Sequence, residues 1–140
     1  MCAQSTSTIT KPGIHRLDFN CQDQDHFCWC WCAVASSIST YYSSTSPWSQ
    51  CRIASTVTGH RCCGVGPHPA CHLPGDLKKA LQTTDNLKQF TSGTVEFDEV
   101  INEIENNRPL ACRVQFGLGI PFGGFTGHFV VLTGCDSRAD

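Results

Sequence analysis

The chain has 140 residues, 10 basic and 12 acidic side chains, a formal net charge of −2 and 40% hydrophobic residues. That length suits one ordinary domain, and the apolar fraction excludes wholesale disorder. There is no basic stripe, so nucleic acid and anionic membranes are not expected partners, and no apolar run approaches the roughly 20 residues that span a bilayer.

Residues 1–19 are polar, rich in Ser and Thr and broken at Pro12-Gly13. They read as a tail or a short edge strand around Ile14–Phe19, without the charged start and apolar stretch of a signal peptide. Residues 20–140 show no linker and no internal repeat, and read as one domain. A first helix is expected from Cys30, because Trp31, Val34, Ala35 and Ile38 recur at spacings of three and four. A second fits Pro47–Thr56, with Ser46 as N-cap and Pro47 at the first helical position. Residues 58–75 hold too many Gly and Pro for regular structure. A third helix is expected over Asp76–Gln82, and a fourth over Asp98–Asn106, where Val100, Ile101 and Ile104 share a face. Arg108-Pro109 ends it. Asp98, Glu99, Glu103 and Glu105 read as a solvated acidic face. The period then changes to that of strands over Leu110–Phe116 and His128–Thr133. Between them lies Gly117–Gly127, with five glycines. Helices first and strands after is an α+β order, a helical half packed on a small antiparallel sheet.

Cysteine usage is high, at eleven residues. It favours a secreted or otherwise oxidising compartment, and the odd count leaves at least one thiol unpaired. Cys51, Cys62, Cys63 and Cys71 flank a loop that cannot hold itself. Two disulfides among them would limit the unfolded chain. Adjacent Cys62 and Cys63 point apart and need different partners, such as Cys51 and Cys71, but spacing does not choose the connectivity. A structural zinc helped by His60, His68 or His72 is the rival, although no Cys-x2-Cys pair is present.

The segment Gln22-Asp-Gln-Asp-His-Phe-Cys-Trp-Cys-Trp-Cys carries the chemistry. A cysteine in the first turn of a helix meets unpaired N–H groups and the positive end of the dipole, which favour a thiolate nucleophile. Cys30 stands at that boundary. Gln24, six residues earlier, offers an amide for the oxyanion formed when a thiolate attacks a carbonyl. His128, opening a β-branched strand, is the candidate to take and return the proton. Gln22 and Cys28-Trp29 repeat the spacing two residues earlier, but Cys28 precedes the helical stripe.

These residues resemble the papain-like cysteine peptidases, whose pattern is Gln, five residues, then Cys-Trp. The closer likeness is to compact bacterial members: Trp29-Cys30-Trp31-Cys32-Ala33-Val34 and Gly127-His128-Phe129-Val130-Val131 match their motifs, and Gln50-Cys51, Cys62-Cys63, Cys71, Phe97-Asp98-Glu99 and Arg108-Pro109 also look like that family. The resemblance implies a papain-like fold over residues 20–140, ending before the full C-terminal sheet. It also implies a thiol-dependent peptidase acting on polypeptides, with catalytic Cys30, His128 and Gln24 and no cofactor. The family's third member, an Asn or Asp after the histidine, has only Asp136 and Asp140 to fill it here, and Cys135 stands where an aromatic is usual. Two alternatives stay open: a catalytically inactive peptide-binding module, and a cysteine-stapled or zinc-stabilised structural protein. Capture of the acyl group by an amine, as in a transglutaminase, uses the same chemistry. Oligomeric state and substrate preference are not legible.

Overall fold

The computed structural model describes residues 13–115 and 127–138. In chain order the elements are β1 (Ile14–Arg16), α1 (Cys30–Tyr42), α2 (Gln50–Thr58), a 3-10 turn (Pro69–His72), α3 (Leu77–Thr83), α4 (Phe97–Glu105), β2 (Leu110–Gln115), β3 (Gly127–Leu132) and β4 (Gly134–Asp136). Residues 1–12, Phe116, the glycine-rich segment 117–126 and Asp140 lie outside the described residues.

The architecture is α+β, but the described strands form two antiparallel pairs instead of one sheet, β2 with β3 and β1 with β4. Thr133 alone separates β3 from β4 and breaks the run. Its carbonyl accepts the Leu17 amide at 2.7 Å, which draws the chain after β1 alongside. The β2–β3 register sets Val114 opposite His128 and Ala111 opposite Val131. In β1–β4, His15 lies opposite Cys135.

Helix α1 is the centre of the core. Every residue from Trp31 to Ser39 is buried, and α2, α3 and β3 all pack against it. The expected stripe of Trp31, Val34, Ala35 and Ile38 is therefore widened to nearly the whole circumference, as a central helix requires. Its three buried serines are satisfied, as buried hydroxyls must be. Ser36 Oγ donates to Trp48 O, Ser37 Oγ to Ala33 O, and Ser39 Oγ meets Ser46 Oγ. The ring of Trp31 lies so close to Gly75 that a Cβ there would run into the indole.

Helix α2 starts later than its sequence suggests. Ser46 is engaged in a turn, meeting Ser39 Oγ at 2.6 Å and accepting the Trp48 amide at 3.2 Å, so it does not cap. Ser49 is the cap, its Oγ accepting Arg52 N at 3.4 Å, and Gly59 closes the helix in the left-handed region at φ 72°. The acidic face of α4 is only partly solvated. Glu103 is half-buried and takes two hydrogen bonds from Arg108, at 2.6 and 2.8 Å, while Glu105 pairs with His15 at 3.4 Å. Residues 58–75 are irregular apart from the short 3-10 turn. Cys51 is bonded to Cys63 and Cys62 to Cys71, with Cα separations of 5.0 and 5.6 Å. The sulfurs that a zinc site would need are thus consumed by disulfides.

Candidate active site

The segment before α1 is tied to the core at both ends. At one end, the Gln22 amide donates to Ser37 Oγ at 2.9 Å. At the other, Trp29 is 1% exposed and its indole Nε1 donates to the Cys71 carbonyl at 2.6 Å. The Trp29 amide closes a turn on His26 O at 3.0 Å, and the His26 ring lies 4.4 Å from the Trp29 ring and 5.2 Å from His72. The disulfide between Cys62 and Cys71 therefore sits directly behind the start of the helix.

Cys30 is the first residue of α1, half-buried, and its sulfur takes part in neither disulfide. The residue at the N-cap is Trp29, which offers no side-chain acceptor, and no acidic residue occupies the first turn. The free amides of the helix start therefore keep their capacity for an anion, such as an oxyanion forming beside Cys30. Cys32 is fully buried. Burial pushes its thiol well above the ordinary value, and Cys30 and Asp25 add to the effect. A thiol held neutral in this way is a poor nucleophile. Cys28 is half-buried in the turn ahead of the helix, beyond the aligned peptide dipoles.

Gln24 is exposed, and its Nε2 donates to the carbonyls of His26 and Phe27, at 3.1 and 3.0 Å. That places the amide inside the turn leading to Cys30. The Gln22 amide points elsewhere, donating to Thr40 Oγ1 and accepting from Gln50 Nε2. Of the two glutamines, only Gln24 has its amide on the turn that leads into the helix.

His128 is the second residue of β3 and half-buried. The strand packs against α1, with Phe129 and Val131 on the core, so strand alternation directs His128 and Val130 to the opposite face. The helix that Cys30 opens and the strand that carries His128 are neighbours. Among the described residues no hydrogen bond joins Cys30, Gln24 and His128 to one another. Asp136 lies on β4, where its carboxylate takes hydrogen bonds from the Arg138 amide and guanidinium, each at 3.0 Å. Arg138 holds the Asp136 carboxyl down to about 2. That side chain is committed within its own turn. Asp140 is outside the described residues.

Gln50 is a buried polar residue that motif reasoning leaves without a role. It is 3% exposed, at the start of α2, and reaches across to the segment before Cys30. Its signal was present in the spacing: Gln50 shares the buried stripe of Ile53 and Ala54, a polar residue at an apolar position.

A family model described as Peptidase_C39 like family matches residues 16–140. No curated protein and no solved structure matches the chain.

Proposed function

This chain belongs to the Peptidase_C39 like family, a cysteine-peptidase type, and we propose that it hydrolyses peptide bonds through a Cys30–His128 acyl-enzyme mechanism. The observation that carries the reading is Cys30 itself, a free thiol opening an uncapped helix that packs beside the strand of His128. In this reading the Cys30 thiolate attacks the carbonyl carbon of a polypeptide. The oxyanion gathers the Cys30 amide and a proton of Gln24, which a charged acceptor draws from the neutral carbonyls it now serves. His128 protonates the departing amine, then takes a proton from the water that releases the acyl group. The reading requires the His128 imidazole, which strand alternation turns from the core face, to come within hydrogen-bond reach of the Cys30 thiol when substrate is bound. The two disulfides are consistent with an oxidising environment, in which Cys30 must stay reduced to act.

An epoxide thiol inhibitor should label Cys30 selectively, and Cys30→Ala should lower peptide turnover by at least about 10³-fold, since removing a nucleophile leaves only binding and oxyanion effects. Mass mapping of the label and a peptide-cleavage assay read both. One specific observation favours a second reading. The Asp136 carboxylate is occupied by Arg138, so no described carboxylate orients His128, and a peptide-binding module without turnover would look the same. Such a module takes up peptide but shows neither cleavage nor selective labelling.

A further inference from the structure

Gln24 sits in a segment without regular structure, and a side chain meant to meet an oxyanion is only as well placed as its backbone. The backbone on both sides of Gln24 is gripped by one remote side chain. Gln50 Oε1 accepts the Asp25 amide at 3.0 Å, and Gln50 Nε2 donates to the Asp23 carbonyl at 2.7 Å. The Asp23 carbonyl belongs to the peptide group before Gln24, and the Asp25 amide to the one after it. The second Nε2 proton reaches Gln22 Oε1 at 3.3 Å. A single carboxamide thus engages both peptides that flank Gln24, across 25 to 27 positions of sequence. The donor and acceptor pattern requires an amide: one end must accept and the other must donate. Gln50 stands next to Cys51, whose bond to Cys63 anchors that end of α2. The clamp is therefore mounted on a cross-linked element.

We propose that Gln50 is a positioning residue of the site: by holding the peptide groups before and after Gln24, it sets where the Gln24 amide and the Cys30 segment meet a substrate carbonyl. The inference rests on the role given to Gln24 above. It predicts an effect on the chemical step and not on the intrinsic reactivity of the thiol, because Gln50 makes no hydrogen bond to Cys30.

The test uses the full chain, a fluorogenic peptide amide that the wild type cleaves, and iodoacetamide as a probe of the thiol alone. Gln50→Met keeps side-chain length and fills the space without either hydrogen bond. Gln50→Glu keeps the acceptor for the Asp25 amide but turns an oxygen toward the Asp23 carbonyl. Both are assayed well below their melting temperatures. The expected result is a kcat lowered about 10- to 100-fold, as for a misplaced oxyanion donor, with KM within about twofold and iodoacetamide alkylation of Cys30 unchanged. Combining Gln50→Met with Gln24→Ala should lower kcat no further than Gln24→Ala alone. Hydrogen exchange at the Asp25 amide should quicken in Gln50→Met. A wild-type kcat in both folded variants overturns the inference, as does a loss that adds fully to that of Gln24→Ala. A wild-type chain that cleaves no peptide overturns the peptidase reading first, and the positioning role with it.

Discussion

Three cysteines stand in a row of alternate residues before and within α1, and their surroundings separate them. Cys32 is sealed in the core, Cys28 lies in the turn, and only Cys30 joins a free sulfur to the first helical position. The repeat Cys-Trp-Cys-Trp-Cys leaves the register open on spacing alone. The onset of the apolar stripe at Trp31 is the cue that separates Cys30 from Cys28, because a helix start aligns the peptide dipoles. The tryptophans differ as well. Trp29 acts as a strut, tied by its Nε1 to the disulfide loop, whereas Trp31 is packed against the backbone of Gly75. Gly75→Ala would force that indole or the chain before α3 to move. We expect a loss of about 1–3 kcal/mol, the usual cost of overfilling a packed core, read as a lower urea midpoint with an unchanged slope. An unaltered midpoint would show that the contact is loose.

At the scale of elements, periodicity marks the helices and strands, and the Gly- and Pro-rich stretch is legible as irregular, but its sulfur pairing is not. Residues 58–75 were expected to need stapling, and the four cysteines do it, but which sulfur meets which depends on how α2 and the 3-10 turn approach each other. Cys51 lies in α2 and Cys71 in that turn, each bonded to one of the adjacent loop cysteines, so the pairing follows where the two elements lie about Cys62-Cys63, which no local spacing encodes. The two bonds close short loops, 12 and 9 residues in sequence separation. Replacing either pair by serines should cost about 2–4 kcal/mol, measured by chemical denaturation. The pairs should differ in a second readout. Losing the bond from Cys62 to Cys71 frees the carbonyl that holds Trp29, so tryptophan fluorescence should shift to the red and turnover should fall. Losing the bond from Cys51 to Cys63 should leave the fluorescence nearer to that of the parent. Equal shifts in both would contradict the strut role of Trp29. The same dependence on approach explains α2 itself. Ser46 and Pro47 carry good start signals, yet contact with Ser39 of α1 takes the Ser46 hydroxyl and leaves capping to Ser49.

The whole molecule carries opposing titrations that frame its stability. Hydrogen bonds from Arg108 hold the Glu103 carboxyl below its usual range. A depressed carboxyl supplies stability above its unfolded value, about 4.3, and loses it as pH falls through the folded value. Burial raises the Cys32 thiol, with smaller upward shifts at Cys112, Tyr41 and Tyr42. Raised groups act in the other sense: their contribution is complete below the unfolded value, about 8.5 for a thiol, and is lost as pH rises. The melting temperature should therefore be highest between roughly pH 5 and 8 and fall on both sides. Glu103→Gln should flatten the acid limb and Cys32→Ala the alkaline limb. A profile unchanged by Glu103→Gln would show that its pair with Arg108 contributes nothing measurable to stability. By itself the sequence settled the α+β order, a first helix beginning at Cys30 and the family likeness, because these follow from local periodicity, helix-end chemistry and short motifs. Only the tertiary structure decided the split into two strand pairs, the sulfur pairing and the grip of Gln50 on both sides of Gln24. Each of those joins residues distant in sequence, and their meeting is governed by how whole elements pack, which residue spacing does not record.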